Sequence, residues 1–284
     1  MHILQSIIMG IVQGLSEFLP ISSSAHLVIT SNLYKVLKGL ELTQESSQEI
    51  FLDIMLHLGT LIAVLIYFRK DIIEILKAFL SAVKSKDFSD SNAKMALYIL
   101  IGTIITVVIA FPLHDVAENL VYSPAIVGLL LIFTGILLFS AEAFSKRIQE
   151  KSNKIDLKTS IFIAVAQGLA ALPGFSRSGL TIATGLLNKK DRLTAARYSF
   201  LLSIPIILGA SMVYPLIKID LHEFTGYNWN AIIIGTIVSA IVGYICIKYF
   251  LKFVGKYSLA FFGYYCIIVG ALSFVFFNIF ASGV

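Results

Sequence analysis

Apolar runs close to twenty residues long recur along this chain, and two more are broken in the middle by polar loops. Six runs are uninterrupted, at about 50–68, 95–111, 123–141, 198–217, 229–250 and 257–280. Each is long enough to cross a hydrocarbon core about 30 Å thick. Only 14% of the 284 residues are charged, where a soluble domain carries roughly 25%. The expected fold is therefore an all-α integral membrane protein. Alternating ten-residue segments, the mark of a membrane β-barrel, are absent from the sequence.

The two broken segments, around 3–30 and 160–187, are different. Each carries Pro, Gly and Ser near its centre, which leaves two halves too short to span alone. Polar backbone at membrane depth is tolerated where protein or a water-filled cavity surrounds it. Both are expected to be re-entrant helix–loop–helix elements beside six transmembrane helices. The first loop runs from Gln13 to His26 and the second from Gln167 to Gly179; both open Gln-Gly-Leu, reach a proline and enter a serine cluster.

Charge orients the path. The stretches 69–94 and 142–158, the run Lys189–Arg197 and the run Lys248–Lys256 are rich in Lys and Arg, whereas 112–122 has neither. The positive-inside rule assigns the basic stretches to the cytoplasm. The first broken element then enters from outside and the second from the cytoplasm, with three spans after each. The expectation is one membrane domain over 1–284, built of inverted-topology halves 1–141 and 159–284 joined by the basic stretch 142–158. Inverted repeats with broken helices are familiar in transporters, so architecture alone leaves transport open. The net charge of +5 is spread over these stretches and implies no nucleic acid. Cys246 and Cys266 sit in apolar segments without metal-ligand spacing and read as packing residues.

Charges in such segments cost roughly 2.5–3.5 kcal/mol each on insertion scales, so they are kept for function or mutual pairing. In the second loop Gly174 and Gly179 permit close backbone approach, Ser176 and Ser178 offer hydroxyls, and Arg177 offers a planar fork suited to phosphate. The competing reading of Arg177 is a structural salt bridge to Glu17 or Asp53. In the first loop Gln13 and Glu17 are four apart on one helix face. Ser23 and His26 follow Pro20, and with Glu17 supply the parts of an activated nucleophile. The plainer reading makes Ser22–Ser24 a capping run and His26 an interior histidine. Glu17 and Gln13 also form an oxygen-rich edge for Mg²⁺ or Ca²⁺. Asp53 and His57, at i and i+4 in the first full span, support the site or the fold equally well. His114 and His222 are expected in external loops.

The stretch Gln13–His26, with Gln-x-x-x-Glu leading to Pro-x-Ser-Ser and a histidine, and the run Pro173-Gly174-Phe175-Ser176-Arg177-Ser178-Gly179-Leu180-Thr181 together resemble the undecaprenyl-diphosphate phosphatase (BacA/UppP) family. The resemblance covers essentially the full length. It implies hydrolysis of a C55 polyprenyl diphosphate to the monophosphate carrier lipid, which feeds cell-wall polymer synthesis and confers bacitracin resistance. It further implies a divalent cation, residence in the plasma or inner membrane with an outward-facing site, and room for a homodimer. By motif position Glu17 is an acid/base or metal-handling carboxylate, Ser23 the nucleophile, His26 its partner and Arg177 the diphosphate clamp. Gln13, Ser22, Gly174, Ser176, Ser178 and Thr181 assist in binding. Whether Ser23 or His26 makes the covalent bond is left open by the sequence. Many family members have Glu where this chain has Gln13. A lipid-carrier transporter is the rival reading, although it needs no nucleophile.

Overall fold

In the computed structural model, residues 2–37, 47–218 and 226–280 are described. They form helices α1 (Ile3–Ser16), α2 (Ser23–Leu37), α3 (Ser47–Tyr67), α4 (Arg69–Ser85), α5 (Ser91–Ala110), α6 (His114–Leu120), α7 (Pro124–Arg147), α8 (Leu157–Leu169), α9 (Arg177–Leu187), α10 (Arg192–Lys218), α11 (Trp229–Val254) and α12 (Ala260–Phe280). A 3₁₀ turn, Phe111–Leu113, joins α5 to α6. Six helical stretches, beginning at Ser47, Ser91, Pro124, Arg192, Trp229 and Ala260, are long and apolar enough to cross a membrane. The protein is an all-α, multi-pass membrane protein. His222 lies outside the described residues.

Several helices start where the sequence supplies a side-chain acceptor for their free N–H groups. Asp90 accepts from the Asn92 and Ala93 amides, Asp156 from Thr159, and Ser176 from Gly179. Two expectations need correction. The basic stretch 69–94, which its charges mark as a loop between spans, is mostly helix: α4 has Ile72, Ile75 and Phe79 at helical spacing, a stripe that packs against the core beneath its exposed lysines. The 112–122 stretch is also helical, and His114 faces Asp115 and Glu118 at 3.2 and 3.5 Å rather than standing alone in a loop.

Between lipid-embedded helices there is little hydrophobic drive, so close backbone approach over small residues carries much of the packing. The α7–α12 pair relies on this. A Cβ on Gly135 would lie 2.6 Å from the Gly263 carbonyl, and one on Gly270 would lie 2.5 Å from that of Gly128. A buried ion pair ties the same region to α10. Glu142 accepts two bonds of 2.7 Å from Arg192 and a third of 3.0 Å from the Leu259 amide, so both carboxylate oxygens are engaged.

α1 packs on α11 as α8 packs on α5, while α7 meets α12 and α3 meets α10. This order is compatible with an inverted repeat. Its centre is aromatic: Phe200 of α10 meets Phe18 at 5.1 Å, Phe250 at 5.9 Å and Phe68 at 6.4 Å between ring centroids. Phe18 is fully buried, which anchors the turn that carries its neighbour Glu17.

Candidate active site

The two broken segments meet loop to loop. In the first, α1 ends at Ser16, the chain turns through Pro20, and Ser22 adopts φ +69° before α2 begins at Ser23. In the second, α8 ends at Leu169 and Gly174 takes φ +104°. A side chain there would be strained and would also meet the Val127 carbonyl at 2.6 Å. The loops are then fastened by hydroxyl-to-carbonyl bonds. Ser178 donates to the Leu19 carbonyl at 2.8 Å and Ser22 to that of Phe175 at 3.2 Å.

A cavity of about 350 Å³ opens at this junction. Glu17, Ser23, Ser24, His57, Ser176, Arg177 and Ser178 supply its polar lining, and Ile54, Ile206, Ile207 and Ala210 of α3 and α10 its apolar wall. The amino ends of α2 and α9 both fall beside it, so unpaired backbone N–H groups favour an anion there.

Glu17 is the hub. Its Oε1 accepts from Arg177 Nη2 at 2.8 Å, and its Oε2 accepts from Ser23 Oγ at 2.7 Å and Gln13 Nε2 at 3.0 Å. The competing structural reading of Arg177, a salt bridge to Glu17, is therefore correct in geometry. It does not displace the functional one, because Arg177 also lines the cavity. His57 brings Nε2 to 3.8 Å from Glu17 Oε2 while its Nδ1 meets the Asp53 carbonyl at 2.8 Å. That carbonyl can only accept, so Nδ1 carries the proton in the neutral ring and Nε2 faces Glu17. Asp53 contributes through its backbone; it does not line the cavity.

Other expected residues stand elsewhere. His26 is not brought to Ser23: its Nδ1 meets the Ser22 carbonyl at 2.8 Å and its Nε2 the Tyr265 hydroxyl at 2.7 Å. Helix α2 turns it away from the cavity toward α12. Thr181 is fully buried, bonded to the Arg177 carbonyl at 2.7 Å and to Ser199 Oγ at 2.6 Å, and supports α9 rather than reaching a ligand. Ser22 and Gly174 shape the loops without lining the cavity. Ser176 does both, lining the cavity and capping α9. Tyr265 was not legible from sequence, since one tyrosine in an apolar span looks like any other.

The residues expected to hold a divalent cation do not offer it a set of free oxygens. Both Glu17 oxygens are engaged, one by a cation. Gln13 turns its amide nitrogen to Glu17, and its Oε1 is buried without a partner and away from the cavity lining. The cysteines are buried packing residues with weak additional bonds: Cys246 Sγ lies 3.2 Å from the Leu15 carbonyl and Cys266 Sγ 3.4 Å from that of Pro20.

The profile of the family described as "Bacitracin resistance protein BacA" matches residues 6–272. Among similar proteins, the "Undecaprenyl-diphosphatase" of Methanobrevibacter smithii is 42% identical, covering 97% of this chain and 98% of its own. That of Halothermothrix orenii is 41% identical over 99% of this chain and 100% of its own. That of Korarchaeum cryptofilum is 40% identical over 95% and 97%.

Proposed function

This chain belongs to the BacA family of bacitracin resistance proteins, and on that premise we propose that it hydrolyses undecaprenyl diphosphate to undecaprenyl phosphate and inorganic phosphate within the membrane. One observation carries the reading beyond resemblance. Ser23 Oγ donates at 2.7 Å to a buried carboxylate oxygen of Glu17 on the wall of a cavity that Arg177 also lines.

In the proposed reaction Glu17 takes the Ser23 proton as Ser23 Oγ attacks the terminal phosphorus. The anhydride P–O bond breaks, and the lipid monophosphate leaves with that electron pair. Water then attacks the phosphorus of the phosphoserine, its proton passing to His57, while the P–Oγ bond breaks and Ser23 Oγ takes back the proton held on Glu17; inorganic phosphate departs. Arg177 and the N–H groups at the starts of α2 and α9 stabilise charge on the phosphoryl oxygens. The prenyl tail runs along the apolar wall formed by Ile54, Ile206 and Ile207.

A divalent cation, when bound, neutralises charge on the diphosphate. The broken segments are re-entrant, the cavity opens to the outer face of the plasma membrane, and the basic stretches lie in the cytoplasm. A transport reading gains nothing from a Ser–Glu pair, since binding needs no nucleophile. The test is purified protein with C55 polyprenyl diphosphate and Mg²⁺ or Ca²⁺, followed by acid quench. The expected result is equal release of phosphate and lipid monophosphate, with transient phosphate on Ser23. Tight lipid binding without release would overturn it.

A further inference from the structure

Away from the candidate active site, a second and larger cavity of about 570 Å³ lies among the first turns of α4, α5 and α10 and the 153–156 segment. Its walls mix polar and apolar groups and carry both signs of charge. Asp71 is committed to Arg197, and Asp156 to Lys190. Among the described residues no ion pair engages Lys94, Lys154 or Glu74, which also line it. These groups belong to the basic end of the molecule, which the positive-inside rule places at the cytoplasmic surface.

The same three helices enclose a groove of about 230 Å³ whose lining is wholly apolar, including Ile72, Phe79, Ile99 and Ile204. Ile75 and Leu201 line both spaces, so the cavity and the groove adjoin across these two side chains. Pro205 lies in the groove wall. Having no N–H, it leaves the Leu201 carbonyl without its helical donor at the junction of the two spaces.

A charged chamber at the surface that adjoins a wholly apolar slot matches the chemistry of a lipid, head in the one and tail in the other. The head must answer two ammonium groups, of which Lys94 also feels Asp87, and one carboxylate, none of them held in an ion pair. We infer that this crevice binds a phospholipid whose head carries both a phosphate and a primary ammonium, the phosphate set between Lys94 and Lys154 and the ammonium on Glu74. Such a head is of ordinary size for a cavity of roughly 300–1,000 Å³. The inference is independent of the proposed hydrolysis.

Native mass spectrometry of the detergent-solubilised full chain, titrated with phosphatidylethanolamine, phosphatidylglycerol and phosphatidylcholine, tests it. The expected result is one ethanolamine lipid retained at least tenfold more tightly than the glycerol or choline lipid. Lys94→Ala with Lys154→Ala lowers that affinity tenfold or more, and Glu74→Gln abolishes the preference for ethanolamine over glycerol. Ile99→Trp, which fills the slot and leaves the charges alone, weakens all three lipids alike. Unchanged elution on gel filtration and unchanged helicity certify that each variant is folded. Equal binding of the three lipids, a preference for the anionic lipid, or retention unaffected by these substitutions in folded protein would overturn the assignment.

Discussion

Arg177 Nη2 lies 2.8 Å from Glu17 Oε1, so the two loops, 160 residues apart in sequence, share one buried ion pair at the cavity wall. The pair fixes the carboxylate whose other oxygen holds Ser23. Removing Arg177 leaves the buried Glu17 carboxylate without its ion-pair partner, which costs far more than the pair's net worth. Arg177→Ala is expected to lose activity and to destabilise by about 3–5 kcal/mol. Arg177→Lys keeps the charge and loses the fork, so its melting temperature stays nearer wild type while turnover falls. Thermal unfolding in detergent, run beside phosphate release, separates the two.

Ser23→Ala is expected to behave differently. Glu17 keeps its bonds to Arg177 and Gln13, so stability changes by only about 1 kcal/mol. Turnover falls by orders of magnitude, and no phosphoserine is trapped on acid quench. A variant that still accumulates phosphorylated enzyme would place the nucleophile elsewhere.

His26 and Tyr265 should act as a unit. The hydroxyl at 2.7 Å holds the imidazole from α12, and the rings stack 5.6 Å apart. His26→Gln, Tyr265→Phe and the double variant form a cycle. The expected interaction is about 0.5–3 kcal/mol in kcat/KM, meaning that the double variant loses much less than the two single losses combined. Additive losses would indicate that His26 acts on its own.

Much of this was readable in the sequence because the physical demand was strong. Six spans follow from apolar length, and the two loops follow from Pro, Gly and Ser where a span should continue. Glu17 and Arg177 stood out because charges at such depth need a reason. The amphipathic helix α4 was obscured because its lysines marked the stretch as cytoplasmic and its stripe is short. Spacing and motif position pair His26 with Ser23, yet its ring is held by the Ser22 carbonyl and by the hydroxyl of Tyr265, a residue 239 positions away that the local pattern does not reveal. Thr181 was assigned to a ligand, whereas its hydroxyl is consumed by Arg177 and Ser199. Short-range pattern identifies the residue types of a site; which way a helix face points depends on packing with distant segments.

The Gln13 amide offers a further test. Its Oε1 is buried without a partner beside the engaged carboxylate of Glu17. Gln13→Glu removes the bond donated from Nε2 and sets a second carboxylate against Glu17, away from the cavity lining. The variant is expected to lose about 1–3 kcal/mol of stability, read by thermal unfolding in detergent, with the half-saturating Mg²⁺ or Ca²⁺ concentration for turnover essentially unchanged. A fall of roughly tenfold in that concentration would show that the side chain at position 13 reaches the cation.

The central claim is tested most directly by phosphate release from C55 polyprenyl diphosphate with a divalent cation, comparing wild type with Ser23→Ala, Glu17→Ala and Arg177→Ala. An enzyme working as proposed turns over robustly and collapses by roughly 10²–10⁴-fold or more in each variant, with losses that do not add when variants are combined. Wild-type protein that binds the lipid and releases no phosphate, or a Ser23→Ala variant that retains full turnover, would contradict it.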